Sequence, residues 1–268
     1  MLEILFKIVG LSAASGLVLV TNQVYLIADN STYLYQYSID TKKIIKHPLK
    51  KDAEDNIPKK KKKDFETIYL KDNKLYILGS GSTEEREKLK IFDLSTQNVK
   101  TDDLTDLYTQ FKKVGNLTND ELNIEGCIYH QKKYYYFQRG NAGQNKNGIF
   151  MVDSNTKISY KTIQLPEIKD VELTFTDATI VDNAIYFLAA AEGSDSTYND
   201  GEILGTWIGK INLEDFKVKM IQEISKTQKF EGITLYKNYK STIQFLLCED
   251  ADSQTHEANI YKLSIAKK

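Results

Sequence analysis

A short pattern recurs five times along this chain of 268 residues, and it leaves few folds open. Each copy has an oxygen-bearing residue, a mostly small residue, an apolar run, a tight polar turn, and a second run rich in Tyr, Phe and Leu. The copies begin at Ser15-Gly16-Leu17, Glu66-Thr67-Ile68, Glu125-Gly126-Cys127, Asp177-Ala178-Thr179 and Glu231-Gly232-Ile233. A unit repeating every ~50 residues is one supersecondary element that cannot bury its apolar face alone, so the copies must stack on their neighbours. Turn signals and period-two alternation divide each copy into four strands. In the first copy these fall near 15–21, 24–29, 33–40 and 43–49.

The pattern predicts an all-β chain, a single domain over 1–268 built as a five-bladed β-propeller with four-stranded antiparallel blades. The expected blades are about 12–50, 64–102, 122–166, 174–225 and 229–266. The fifth copy supplies FEGITLY, STIQFLLC and ANIYKLSI and is then one strand short, whereas LEILFKIV at 2–9 has no partner of its own. Pairing the N-terminal strand with the last blade closes the ring and removes two sheet edges. Composition agrees: 17 Tyr and 11 Phe against 3 Pro and 14 Gly favour strands over helices. The long second interval has a local cause. Asp103 can cap a stretch in which Leu104, Leu107, Tyr108 and Phe111 share one helical face, stopped near Gly115, so a short helix is expected outside the ring between blades two and three.

With 36 Lys+Arg against 37 Asp+Glu the net charge is -1, which excludes the broad basic field of a sequence-independent nucleic-acid binder. No stretch reaches the ~20 apolar residues that span a bilayer, so no membrane partner is expected. The N-terminus has an apolar stretch, yet Glu3 precedes Lys7 and Lys7 interrupts the run, so it reads as structure rather than an export signal, which favours a cytoplasmic location. Cys127 and Cys248 lie in apolar runs and read as buried thiols. The lysine-rich loop from Lys50 to Lys63 also holds Asp52, Glu54 and Asp55, and reads as a solvated connection.

In a propeller the innermost strand begins, and the second strand ends, on the same face. The repeated oxygen residues therefore share one mouth with the long second-to-third-strand loops, which carry function in rigid scaffolds. Ser15, Glu66, Glu125, Asp177 and Glu231 are expected to converge near the axis. Carboxylates that close repel, so they must be protonated, paired, diluted by water or bound to a cation. A hard divalent ion suits them, and calcium, with six to eight oxygens in loose geometry, suits them best. Two alternatives stand beside it: each acid accepts backbone amides of the next blade, or the acids form a network with Arg139. That arginine ends a second strand and is expected to hold a phosphate or carboxylate of a small anionic ligand, or to pair with Glu125 or Glu249. Zinc is disfavoured because His47, His130 and His256 are scattered. His256, in a mouth-side loop, offers a base but reads as solvent-facing.

Glu125-Gly126, Glu231-Gly232-Ile233 and Phe137-Gln138-Arg139-Gly140-Asn141 resemble the bacterial propellers described as phytase-like with esterase-like activity. The repeat as a whole is similar to the calcium-activated nucleotidase (apyrase) family, five-bladed propellers in which Ser or Glu from each innermost strand surrounds an axial calcium. By that resemblance Ser15, Glu66, Glu125 and Glu231 match the family's ligand types, and Asp177 departs from a serine. It implies a calcium-dependent hydrolase of phosphate esters or anhydrides. There the metal polarises a phosphoryl oxygen, Arg139 holds the anion, and an acidic residue such as Glu125 positions water. The alternative is a non-catalytic propeller that binds a small ligand or protein partner, with a purely structural acidic ring.

Overall fold

The structure, a computed structural model, describes residues 1–11, 13–58, 61–140, 146–193, 202–250 and 257–267. After strand β1 (Leu2–Val9), blade one is formed by β2 (Ala14–Val20), β3 (Gln23–Ala28), β4 (Tyr33–Ser38) and β5 (Ile44–Pro48). Blade two is β6 (Phe65–Lys71), β7 (Lys74–Gly79), β8 (Lys88–Asp93) and β9 (Val99–Asp103), followed by helix α1 (Thr105–Gly115). Blade three is β10 (Ile124–His130), β11 (Lys133–Gln138), β12 (Gly148–Val152) and β13 (Ile158–Thr162), with a small hairpin of β14 (Glu167–Ile168) and β15 (Val171–Glu172) after it. Blade four comprises β16 (Thr174–Val181), β17 (Ala184–Gly193), β18 (Glu202–Asn212) and β19 (Val218–Ser225). The last blade contains β20 (Phe230–Asn238), β21 (Thr242–Glu249) and β22 (Glu257–Ala266).

Each blade is a four-stranded antiparallel sheet in chain order, and the last has the order β1-β22-β21-β20. The ring closes as the sequence indicates, from Leu2 opposite Leu263 to Val9 opposite Glu257. Innermost strands β2, β6, β10, β16 and β20 contact one another in that cyclic order.

The core lies in the gaps between blades, where five apolar clusters form, one per gap. This explains the near-continuous apolar second strands, since a strand buried on both faces need not alternate with polar residues. In β21, Ile243, Phe245 and Leu247 pack toward blade four, whereas Leu246 and Cys248 pack toward blade one. Both cysteines are buried thiols. Three of the first-to-second-strand turns opposite the mouth are two-residue hairpins with left-handed φ at both positions: Asp72-Asn73 (48° and 57°), Gln131-Lys132 (49° and 62°) and Asp182-Asn183 (50° and 59°). Asp and Asn tolerate that region, and the primed turn matches strand twist.

Helix α1 packs against β13, with Tyr108 and Phe111 fully buried. Phe111 stacks on Phe150 at 4.3 Å and the Tyr108 hydroxyl donates to the Gly79 carbonyl at 2.7 Å. Asp103 Oδ1 accepts the amide of Thr105, the first helical residue, at 2.8 Å. Among the described residues, no helix is long and apolar enough to cross a membrane.

Candidate functional site

Every innermost strand slips register by one residue where it enters the mouth. The slips fall between Ala14 and Gly16, Phe65 and Thr67, Ile124 and Gly126, Phe175 and Asp177, and Phe230 and Gly232. A bulge leaves one residue unpaired and re-aims its side chain. The bulged residues are Ser15, Glu66, Glu125, Thr176 and Glu231, four of them the expected ring members.

The fourth member stands apart in this register. Thr176 occupies the bulge, and Asp177 stands one residue further, at the position held elsewhere by Gly16, Thr67, Gly126 and Gly232. Its side chain therefore leaves the strand on the opposite side. Asp177 Oδ1 accepts the amide of Ala178 at 2.7 Å and Oδ2 that of Ile233, in the next blade, at 2.8 Å. Burial pushes its carboxyl well above the usual range while those two amides oppose the shift. Asp177 thus fastens blade four to blade five. The small residue of the repeat belongs to the same packing: a Cβ on Gly126 would lie 3.0 Å from Asp177 Oδ1, and one on Gly232 would lie 3.0 Å from Gly16 Cα. Ser15 and Thr176 are fasteners too, donating to the carbonyls of Phe65 at 2.5 Å and Phe230 at 2.7 Å.

The three bulge glutamates face the mouth with groups that the repeat did not single out. Glu125 Oε1 accepts from Asn123 Nδ2 at 2.6 Å and pairs with Arg139 Nη1 at 3.3 Å. Arg139 reaches Glu192 with Nη2 at 2.6 Å and donates from Nε to Thr174 Oγ1 at 3.2 Å. Lys229 lies 2.8 Å from Glu231 and 3.4 Å from Glu192. Arg139 and Lys229 are each only 11% exposed, and their carboxylates hold both more firmly protonated than usual despite the cost of burial. Burial raises Glu125 to about 7, with Arg139 pulling it down and Glu231 pushing it up. Arg139 therefore stands at the mouth, but as a strut between blades three and four with its donors turned to the protein's own acids.

The other half of the mouth, between blades one and two, is less well compensated. Asp29, Asp64 and Glu66 place one carboxylate oxygen each within 4.8 Å of one another. Asp64 Oδ2 accepts from Ser80 Oγ at 2.6 Å and from Arg86 Nη1 at 2.7 Å. Asp29 Oδ2 pairs with Lys62 at 2.5 Å, while its buried Oδ1 has no hydrogen-bond partner. Glu66 is 9% exposed, and among the described residues nothing donates to its carboxylate. Burial drives Glu66 well above its ordinary range, reinforced by Asp64, Glu125, Glu231 and Asp29. Burial likewise raises Asp29 to about 6 against the pull of Lys62.

Two histidines stand away from the mouth. His47, on the outer strand β5, bonds to Gln36 Oε1 at 2.8 Å, and burial lowers its pKa. His130 meets Asn183 Oδ1 at 3.0 Å on the opposite face. His256 and Asn141 lie outside the described residues. Four of the mouth residues not singled out by sequence were reachable by one rule. Asp64, Asn123, Thr174 and Lys229 each stand two residues before a bulge, and a strand returns to the same face every second residue.

Fold and site together define a five-bladed β-propeller whose mouth is a buried carboxylate–cation network with one less well compensated acidic corner. The sequence matches DUF6929, a family of unknown function, over residues 10–265, and the chain belongs to that family. No curated protein matches it significantly. Among solved structures, glutaminyl cyclase from Myxococcus xanthus is similar, at 11% identity and a TM-score of 0.57 over 100% of this chain and 97% of that one. Streptogramin B lyase is similar at 12% identity and a TM-score of 0.48, over 100% of this chain and 98% of the other. The computationally designed Ika8 protein shares 9% identity at a TM-score of 0.36, over 93% of this chain, which spans 58% of its length. At such identities the glutaminyl cyclase likeness speaks for the fold alone, and none of these matches supports the apyrase or phytase-like resemblance.

Proposed function

We propose that this protein is a cation-binding propeller in which Asp29, Asp64 and Glu66 hold one hard divalent ion, calcium by preference, in the mouth between blades one and two. The reading rests on Glu66, a carboxylate 9% exposed with no donor to it among the described residues. An isolated buried carboxylate is costly and persists only with a proton or a counter-charge. The orphaned Oδ1 of Asp29 repeats the signal beside it. An all-oxygen set selects calcium, magnesium or manganese over zinc. Oxygens that all lie within 4.8 Å of one another can share one ion, and calcium accepts the loose geometry of such a set, whereas magnesium demands near-ideal octahedral order. Ser15, Glu125 and Glu231 frame the site, with Asp177 fastening the ring.

The geometry favours binding over phosphoester hydrolysis. An anion clamp needs free donors, and Arg139 is engaged by Glu125, Glu192 and Thr174. The test is thermal unfolding at pH 7.5 in buffer freed of metal by a chelating resin, with calcium, magnesium and manganese added in turn. Calcium should raise Tm, with a stabilisation of about 2.7 kcal/mol at a hundredfold excess over Kd. Glu66→Gln should abolish the rise while stabilising the metal-free protein. A wild-type Tm unmoved by all three ions overturns the reading.

A further inference from the structure

Beside that acidic corner lies a cavity of about 690 Å³, within the range of sites for small ligands. The loop between blades one and two roofs it. That loop is pinned to blade one: Asp55 accepts from Ser31 Oγ at 2.7 Å, from Lys46 Nζ at 2.5 Å and from the Tyr35 hydroxyl. The amide of Ile57 donates to the Asn30 carbonyl at 2.8 Å, and the Ile57 side chain is buried. The charges of the described part of the loop are sorted: Asp55 faces blade one, and Lys61, Lys62 and Lys63 line the cavity.

Lys50, Lys61, Lys62, Lys63 and Arg86 line this space. Among the described lining residues the acids are Glu54 and Glu85, whose side chains are 64% and 77% exposed, at the rim. Lys62 and Arg86 sit deep, at 15% and 13%. The rim pairs, Lys50 with Glu54 at 3.7 Å and Lys63 with Glu85 at 2.5 Å, are of the exposed kind that contributes little and yields readily to a competing anion. Among the described residues Lys61 has no carboxylate partner. Asp29 and Asp64 hold Lys62 and Arg86, so the cations open to an anion are Lys61 and, once their exposed rim pairs yield, Lys50 and Lys63; converging on a concave site, these raise the local concentration of anions, and the potential grows with the ligand's charge.

We propose that this cavity binds a small polyanion, a molecule presenting two or more adjacent phosphate or carboxylate groups. The inference stands apart from the cation site: Lys62 and Arg86 hold Asp29 and Asp64, but the remaining three lysines owe nothing to that corner.

The test is calorimetric titration of the whole protein with inorganic pyrophosphate and, separately, citrate, in resin-treated buffer at low ionic strength. No dissolved chelator is added, because it would itself be a polyanion. Saturable binding of one molecule per chain is expected, at least tenfold tighter than orthophosphate. A phosphate preference shows as pyrophosphate binding over citrate, a carboxylate preference as the reverse. The double variant Lys61→Ala, Lys63→Ala, at positions that make no core contacts, should lose at least tenfold in affinity with an unchanged Tm. Absence of saturable binding by both probes, or an affinity the double variant leaves unaltered, overturns the proposal. Glu66→Gln should keep pyrophosphate binding while losing the calcium response, so failure of one site is read separately from failure of the other.

Discussion

Replacing Arg139 by Met tests whether the mouth is held together by charge. The guanidinium contacts Glu125, Glu192 and Thr174 at 3.3, 2.6 and 3.2 Å, and its side chain is 11% exposed. Met keeps much of the volume and removes every donor. Breaking a buried pair by removing one partner costs about 3–5 kcal/mol, because the other charge is left without compensation. Total stabilities run at ~5–15 kcal/mol, so the loss is large. It should also depend on pH in a defined direction. Burial raises Glu125 to about 7 even with Arg139 opposing, so without the arginine its pKa climbs further. An acid with a raised folded pKa contributes stability that is complete below its unfolded value and lost as pH rises through the folded one. The variant therefore loses its extra ground above pH ~7. At pH 5.5 Glu125 is mostly protonated in both proteins, and the deficit shrinks to the bonds with Glu192 and Thr174, about 1–3 kcal/mol. Urea unfolding at pH 5.5 and pH 8 reads this directly, with a midpoint drop at pH 8 of roughly 1 M or more for slopes of ~1–3 kcal/mol/M. A deficit equal at both pH values, or below ~1 kcal/mol at pH 8, refutes the strut.

The wild type in metal-free buffer should lose stability between pH 5 and 8, since Asp29 and Glu125 are raised to about 6 and about 7; a rise of Tm over that interval contradicts the burial of these acids. Asp177→Ala should cost about 1–3 kcal/mol through the orphaned amides of Ala178 and Ile233 yet leave the calcium response intact. A lost response would return Asp177 to the metal. Deleting residues 1–10 uncovers the edge of β22 and removes the buried Ile8, so Tm should fall by many degrees. An unchanged Tm would mean that the closing strand contributes nothing.

The architecture was readable because it is written redundantly: five copies of one apolar rhythm, each repeating the demand that both faces of a strand be buried. The site was readable only where one residue carries it. In blade four Thr176 and Asp177 both bear oxygen, and a carboxylate followed by Ala178 fits the pattern better than Thr176 followed by Asp177. A one-residue bulge, invisible in composition, decides between them. Asp29 follows directly on a second strand and Glu192 lies near the end of another, and they join the mouth only across blades, so no local spacing announces them. The lysine loop misled for a related reason. Its mixed charges read as a solvated run until the fold shows that Asp55 turns one way and Lys61 to Lys63 another.

The seam between β1 and β22 also orders events during synthesis. Leu2 leaves the ribosome well before its partner Leu263, which lies 263 − 2 = 261 residues further along the chain. At ~5–20 residues per second, the early strand waits on the order of ten to fifty seconds for its mate. Throughout that wait blade one has no neighbour on its far side, and Leu17, Val24 and Tyr35 lack the residues of β21 and β22 that cover them in the finished ring. The nascent chain thus carries two sticky ends that only completion can join. In a circular permutant in which β1 directly follows β22, the closing strand would meet its mate at once, whereas blade one would still wait for β21 and β22 to cover it.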